Sequence, residues 1–254
     1  MPVLTPDQRI LTKLQRTVLR LIAECEASLG PTELRLEGGT ALAAFYLHHR
    51  LSEDLDLFGG AALNARDFVA HLRERMQADG LTVSPEGPAS PGFAEIGVRG
   101  GARSDDSVRV QIARTSPFQL EAPTGTDMGV PVASFRDVAA GKLHAVCDRY
   151  EPRDHLDIHA ILRRPDDSGG APSDEEVRAR VRKLVADVET CDPGLNETLI
   201  GQALARGLGR PIVSSFPLRL LTPVREEDIQ ATLRLAVDEC GRLARERGAW
   251  SSGP

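Results

Sequence analysis

The sequence predicts an α+β fold with a helical C-terminal portion. Three observations carry that expectation. Residues 34–58, LRLEGGTALAAFYLHHRLSEDLDLF, run from an apolar strand through two glycines and a short helix into a second strand. Residues 107–113, SVRVQIA, alternate with period two. Beyond residue 134 the apolar positions recur at helical spacing and no strand pattern returns. Strands and helices thus fall in separate stretches of chain, the order of an α+β protein.

The elements follow in order. Thr5-Pro6-Asp7-Gln8 reads as a helix start, with Thr5 as N-cap, Pro6 in the first turn and Gln8 closing a capping box. Ile10, Leu11, Leu14, Val18, Leu21, Ile22 and Cys25 continue it, and Gly30-Pro31 ends it. Leu34–Glu37 is a strand, Thr40–Leu47 a short helix and Leu55–Phe58 a second strand. Asn64 caps a helix through Gln77, stopped by Gly80. Short strands alternate over 81–112 around an exposed loop, PEGPASPGF. Ser134 caps a helix to about Tyr150 with Asp137 at its third position, and another helix spans about Arg153 to Arg164. PDDSGGAPS, residues 165–173, breaks the composition and is the linker candidate. Ser173-x-x-Glu176 is a capping box, Thr222-Pro223 opens a helix to about Gly248, and the last six residues are expected to fray. The domain expectation is a core with an N-terminal helix over 1–133 and a helical portion over 134–254.

Composition bounds the function. The 254 residues suffice for one large domain or two small ones. With 41% hydrophobic and 27% charged residues the chain has ordinary soluble character, and with 4% aromatics its core must be Leu, Val, Ile and Ala. A formal charge of −6 argues against coating nucleic acid by bulk charge, while leaving room for a local basic groove. No run approaches the roughly 18 apolar residues of a membrane span, and MPVLTPDQR lacks an apolar leader region. The cysteines at 25, 147, 191 and 240 are far apart and form no CxxC pair, which argues against a disulfide framework or structural zinc and for a reducing cytoplasm.

The chemistry concentrates at Asp54 and Asp56. Two residues apart on a strand, they project to one face while Leu55 and Leu57 enter a core. Paired hard oxygen donors suit Mg²⁺. Alone, such a pair is also met at solvated strand entries; Gly38-Gly39 and Ser52 accompany it here. Glycines between a strand and a helix let backbone N–H groups approach a phosphate, and Thr40 adds a hydroxyl. Metal and phosphate together indicate phosphoryl or nucleotidyl transfer. DLDLF also resembles the DxD nucleophile motif of haloacid-dehalogenase-like phosphatases, but HHRLSE before it and LF after it do not fit that motif. Arg50, after the short helix, is a phosphate contact or a solvated cation at a helix end.

A second cluster lies further on. Lys142 sits between Val138 and Val146 on a partly apolar helical stripe, with Arg149 nearly in line. Asp154 and Asp157 share a face of the next helix. Two cations in line suit a phosphate; the alternative is a surface ion-pair cluster. His155 and His159 have the spacing of helical zinc ligands, but no third ligand accompanies them. Arg178, Arg180, Arg182 and Lys183 form a basic group that either meets phosphates or is balanced by Asp174, Glu175 and Glu176. Gln111 stands where a neighbouring strand in a two-metal site usually supplies a third carboxylate; Asp105 and Asp106 are the acids nearby.

GGTAL-x3-YL-x-HR-x-S-x-DLDLF and KLHAVCDRYEPRDHLDIHAIL (142–162) resemble the motifs of the AbiEii/AbiGii toxin family of nucleotidyltransferases, within the DNA-polymerase-β-like superfamily. The resemblance is concentrated at 34–58 and 134–164. It implies a nucleotidyltransferase-like mixed sheet flanked by helices, and the toxin half of a toxin–antitoxin or phage-defence system with a cognate antitoxin. It also implies transfer of a nucleotide from an NTP to RNA, notably tRNA 3′ ends. Carried over, Gly38 and Gly39 hold the triphosphate, Asp54 and Asp56 bind Mg²⁺, Ser52 contacts the NTP and Lys142 contacts phosphate. Asp157 orients the acceptor hydroxyl or that lysine. Arg149, a candidate nucleotide-binding residue, adds positive charge beside Lys142 for the negative charge that develops in the transition state. Gln111 departs from the superfamily's third acid. It keeps a second class open, a catalytically weakened NTP- or RNA-binding protein, beside a third that acts by binding a protein partner.

Overall fold

The computed structural model describes residues 3–100, 106–114, 119–165, 169–214 and 218–251. Asp105 and residues 166–168 of the linker candidate lie outside them, as do 252–254. The chain divides into two compact units, Met1–Phe135 and Arg136–Pro254.

The first unit opens on α1 (Lys13–Leu29). Its N-cap is Thr12, seven residues later than the Thr5 start expected from sequence. Thr5-x-x-Gln8 and Thr12-x-x-Gln15 both spell a capping box, but the Asp7 N–H is bonded to the Ala44 carbonyl at 2.8 Å, so residue 7 belongs to a tertiary contact and not to a first turn. Strand β1 (Arg35–Glu37) leads into α2 (Gly38–Ala41), which continues as a π-helical stretch, Leu42–Leu47, closed by His48 at φ 53°. The helix starts two residues earlier than expected, so both glycines lie in its first turn. Then follow β2 (Asp54–Gly59), α3 (Ala65–Ala78) capped by the Asn64 side chain, β3 (Thr82–Pro85), β4 (Phe93–Arg99) and β5 (Ser107–Arg114).

The strands form one mixed sheet in the order β1-β2-β5-β4-β3. β2 and β5 are parallel and the other pairs antiparallel. Alternation splits the sheet chemically. Leu36, Leu55, Leu57, Ala94, Ile96, Val98, Val108, Val110 and Ile112 are buried on one face, with α1 and α3 in the same core. The other face carries Glu37, Asp54, Asp56, Glu95, Arg109 and Gln111. Beyond β1, Leu36 exchanges backbone hydrogen bonds with Pro131 and Ala133, at 2.8 and 3.0 Å.

The second unit is helical: α4 (Phe135–Asp148, beginning on the last residue of the first unit), α5 (Pro152–Leu162), α6 (Asp174–Cys191), α7 (Glu197–Ala205) and α8 (Glu226–Ser251). Ser173 and Glu176 form the capping box of α6. Thr222-Pro223 does not open α8, which starts at Glu226 and runs three residues past Gly248. The Glu226 carboxylate accepts the Ile212 and Val213 N–H groups at 2.8–3.0 Å, and this bond fixes the turn ahead of the helix. Among the described residues no helix is long and apolar enough to cross a membrane.

Candidate active site

Gly38, at φ 68°, is where the backbone turns from β1 into α2. Register places Glu37 opposite Asp56, so the turn faces the second aspartate of the pair. A Cβ on residue 38 would lie 2.9 Å from Asp56 Cγ and closer still to its Oδ2. A Cβ on residue 39 would lie 2.7 Å from Arg50 Nη2 and 3.1 Å from Ser52 Oγ. The missing side chains are therefore what admits Asp56, Arg50 and Ser52 against the turn. Among the sequence-expected site residues, Gly38, Gly39, Arg50, Ser52 and Asp56 come together here, with Asp54 two residues along the same strand face.

Two supports fix this arrangement. Gln15 of α1, itself buried, closes the capping box with Thr12 and donates from Nε2 to the Ser52 carbonyl at 2.9 Å and the Glu53 carbonyl at 3.3 Å, which holds the entry to β2. Thr40 is fully buried, and its hydroxyl donates to the Asp54 carbonyl. The Thr40 donor thus ties α2 to β2. Arg50 is buried as well, and its Nη1 donates to the Leu51 carbonyl at 2.9 Å, so it is no solvated helix-end cation.

The acid face extends across the sheet. Asp56 pairs in register with Gln111, and Gln111 with Glu95. Gln111 Nε2 donates to Glu95 Oε2 at 2.6 Å, so the neutral residue in the third-acid place is itself held by an acid one strand further on. Asp54 pairs with Arg109, whose Nε and Nη2 reach its two oxygens at 3.1 and 2.7 Å. The Asp54 hydrogen bonds, with the charges of Glu95 and Asp56, hold the Arg109 pKa above its ordinary value against the opposing effect of burial. Arg109 and Glu95 carry no functional assignment from sequence. The period-two pattern of SVRVQIA puts Arg109 on the face of Gln111, but its partner depends on a parallel register set 55 residues away.

Among the described residues, no three His, Cys, Asp or Glu side chains gather into a metal cage. Mg²⁺ does not need one. It binds through one or two carboxylates, with substrate phosphates and water completing the shell, and Asp54 and Asp56 are hard oxygen donors on one strand face. The donor set fits that ion.

In the second unit Lys142 is buried, and its Nζ lies 2.8 Å from Asp157 Oδ2 and 3.1 Å from Asp154 Oδ1. Both carboxylates are fully buried, so the cluster is internal and not a surface ion-pair group. Arg149, half exposed, reaches Asp154 Oδ2 at 3.0 Å. His159 Nδ1 meets the Thr232 hydroxyl at 2.9 Å, and His155 is fully buried with Nδ1 at 3.2 Å from the Glu151 carbonyl. The two histidines are engaged separately and form no ligand pair. The basic group on α6 is tied inward: Arg178 and Arg182 reach Glu239, Arg182 also Glu175, and Arg180 the Leu162 and Arg164 carbonyls.

Comparison with curated proteins gives no match. Among solved structures, the nucleotidyltransferase toxin MenT4 of Mycobacterium tuberculosis superposes with a TM-score of 0.55 at 17% identity, over 89% of this chain and 83% of MenT4. A putative nucleotidyltransferase from Helicobacter pylori gives a TM-score of 0.50 at 17% identity, over 92% of this chain and 99% of its own. At such identity these likenesses speak for the fold. The family model for the nucleotidyl transferase AbiEii toxin of type IV toxin–antitoxin systems matches residues 20–242, which span the glycine turn, both aspartates and the Lys142 cluster. The chain belongs to the AbiEii family of toxins and is a nucleotidyltransferase.

Proposed function

We propose that the protein is a Mg²⁺-dependent toxin that transfers a nucleoside monophosphate from an NTP to an acceptor hydroxyl of RNA, with a tRNA 3′ end as the favoured acceptor. Family membership implies the NTP and a cognate antitoxin; the metal and the RNA are our reading. The observation that carries it is the glycine turn packed against Asp56, Arg50 and Ser52, with Asp54 on the same strand face. We read the first unit as the nucleotidyltransferase core and the second as the portion carrying the lysine and aspartate motifs. Action on cellular RNA fits the cytoplasm and a role in phage defence.

Asp54 and Asp56 are the residues that would hold Mg²⁺, which when bound supplies Lewis-acid polarisation of phosphoryl oxygens. Gly38 and Gly39 are assigned to the triphosphate through the backbone N–H groups of the turn, Arg50 offers a guanidinium beside Gly39, and Ser52 offers a hydroxyl. The acceptor oxygen attacks the α-phosphorus in line, and the bond to pyrophosphate breaks. Fixed cations stabilise charge that develops on the phosphoryl oxygens. Lys142 is assigned to phosphate, and Asp157, 2.8 Å from it, to orienting that ammonium. Thr40 and Arg149 are assigned supporting places, on the Asp54 carbonyl and the Asp154 carboxylate.

A second reading, an NTP- or RNA-binding protein of weak turnover, is favoured by Gln111 in the third-acid position and by the pairing of Asp54 with Arg109. Purified protein incubated with Mg²⁺, each α-labelled NTP in turn and total RNA separates the two. Label in a discrete RNA band supports transfer to RNA and names the base. Pyrophosphate without RNA label redirects the search to another acceptor, and neither signal favours the second reading.

A further inference from the structure

The acid face of β2 already holds a cation from the chain itself. Arg109 stands on β5, in parallel register with Asp54, and engages both of its carboxylate oxygens, at 3.1 and 2.7 Å. Its Nη1 is 4.0 Å from Glu95 Oε1, and Glu95 is steadied by Gln111 Nε2 at 2.6 Å. Asp54 and Glu95 thus flank one guanidinium. A two-pronged contact occupies the oxygens that a divalent ion would take from Asp54.

The pairing is built to exchange. The Arg109 side chain is 43% exposed, so solvent is at hand to hydrate the guanidinium when it leaves Asp54. The planar fork that matches a carboxylate matches a phosphate equally well. A triphosphate delivered to the glycine turn therefore brings a replacement partner of the same geometry.

We infer that Arg109 is an exchangeable latch, pairing with Asp54 while no nucleotide is bound and moving to the triphosphate as the metal–nucleotide complex arrives and takes Asp54. This deepens the metal-dependent reading above and rests on it. The latch keeps the carboxylates of the face neutralised before substrate arrives, and it makes metal affinity depend on nucleotide. Arg109 is then a residue that binds substrate and gates the metal, beyond the glycine and aspartate motifs.

The test needs no turnover. Binding of Mn²⁺ alone is followed by the electron-spin-resonance signal of the free ion, for wild type, Arg109→Gln, Arg109→Lys and Asp56→Ala. Calorimetry then measures the preformed complex of Mn²⁺ with inorganic tripolyphosphate, which carries the phosphates of any NTP without a base. Arg109→Gln should bind Mn²⁺ alone about tenfold more tightly than wild type, and the tripolyphosphate complex about tenfold more weakly. Arg109→Lys, which keeps the charge and loses the fork, should fall between and serves if the glutamine variant does not fold. Mn²⁺ affinity that does not rise on removing Arg109 overturns the latch, as does unchanged affinity for the tripolyphosphate complex. If neither Arg109→Gln with Mn²⁺ alone nor wild type with the tripolyphosphate complex binds more tightly than Asp56→Ala does, the metal reading has failed and the latch falls with it, an outcome distinct from Asp56-dependent metal binding that Arg109 does not influence.

Discussion

The Asp56 carboxylate occupies the space a side chain at Gly38 would need: a Cβ there would come within 2.9 Å of Asp56 Cγ. The glycine and the aspartate lie eighteen positions apart but meet because β1 and β2 pair antiparallel with Glu37 opposite Asp56. Gly38→Ala should therefore fail twice, from a side chain at φ 68° and from displacement of the carboxylate. We predict a stability loss of more than ~1 kcal/mol and a fall in transfer rate of about 100-fold from misplaced geometry. Denaturant unfolding and a labelled-NTP assay check the two separately.

Gln15 couples the start of α1 to the loop that carries Ser52. Gln15→Ala removes one bond of the capping box and the two contacts to the Ser52 and Glu53 carbonyls. The expected cost is about 1–3 kcal/mol for the hydrogen bonds lost at a buried position, together with a raised KM for NTP if Ser52 contacts it. Unfolding midpoints and steady-state kinetics measure both.

Lys142 compensates two fully buried carboxylates. Lys142→Met strands that charge, and the expected loss is about 3–5 kcal/mol. Its activity is therefore interpretable only beside a stability measurement. Arg149→Ala, at a half-exposed position that reaches Asp154, should cost much less. Urea titration of both variants tests the ranking.

His155 supplies the pH dependence. Burial, more than any other influence, pushes its pKa below the ordinary 6.5, although the Glu151 and Ala203 backbones pull the other way. The folded protein thus holds the neutral ring while the unfolded chain binds a proton below about pH 6.5. The unfolded state binds more protons in that window, so stability rises with pH there and is lost as pH falls from 6.5 toward the depressed folded value. Unfolding free energies of wild type and His155→Leu between pH 7.5 and pH 5, roughly the range the shift addresses, should show a slope in wild type that the variant loses.

Local signals in the sequence identified the elements that local chemistry decides. Asn64 and Ser173-x-x-Glu176 cap the helices they were expected to cap, and alternation put Asp54 and Asp56 on one strand face with Leu55 and Leu57 buried beneath. Where two local solutions compete, tertiary contacts choose. Thr5 and Thr12 offer the same capping box, and the Asp7–Ala44 hydrogen bond selects Thr12. Thr222-Pro223 has the form of a helix start, yet the anchor is the Glu226 carboxylate on the Ile212 and Val213 N–H groups. The site divides the same way. The glycine and aspartate motifs lie within one short stretch of chain. Arg109 on Asp54 and Glu95 on Gln111 depend on the strand order β2-β5-β4, and burial of Asp154 and Asp157 on helix packing. No local spacing encodes either.

The most direct test of the account compares wild type with Asp56→Ala for pyrophosphate release and RNA labelling with Mg²⁺ and each NTP, after circular dichroism and thermal melting establish that the variant is folded. Wild type should release pyrophosphate and label RNA, and the variant should do neither. Undiminished transfer by a folded Asp56→Ala would contradict it, because the carboxylate held against Gly38 would then have no part in the chemistry.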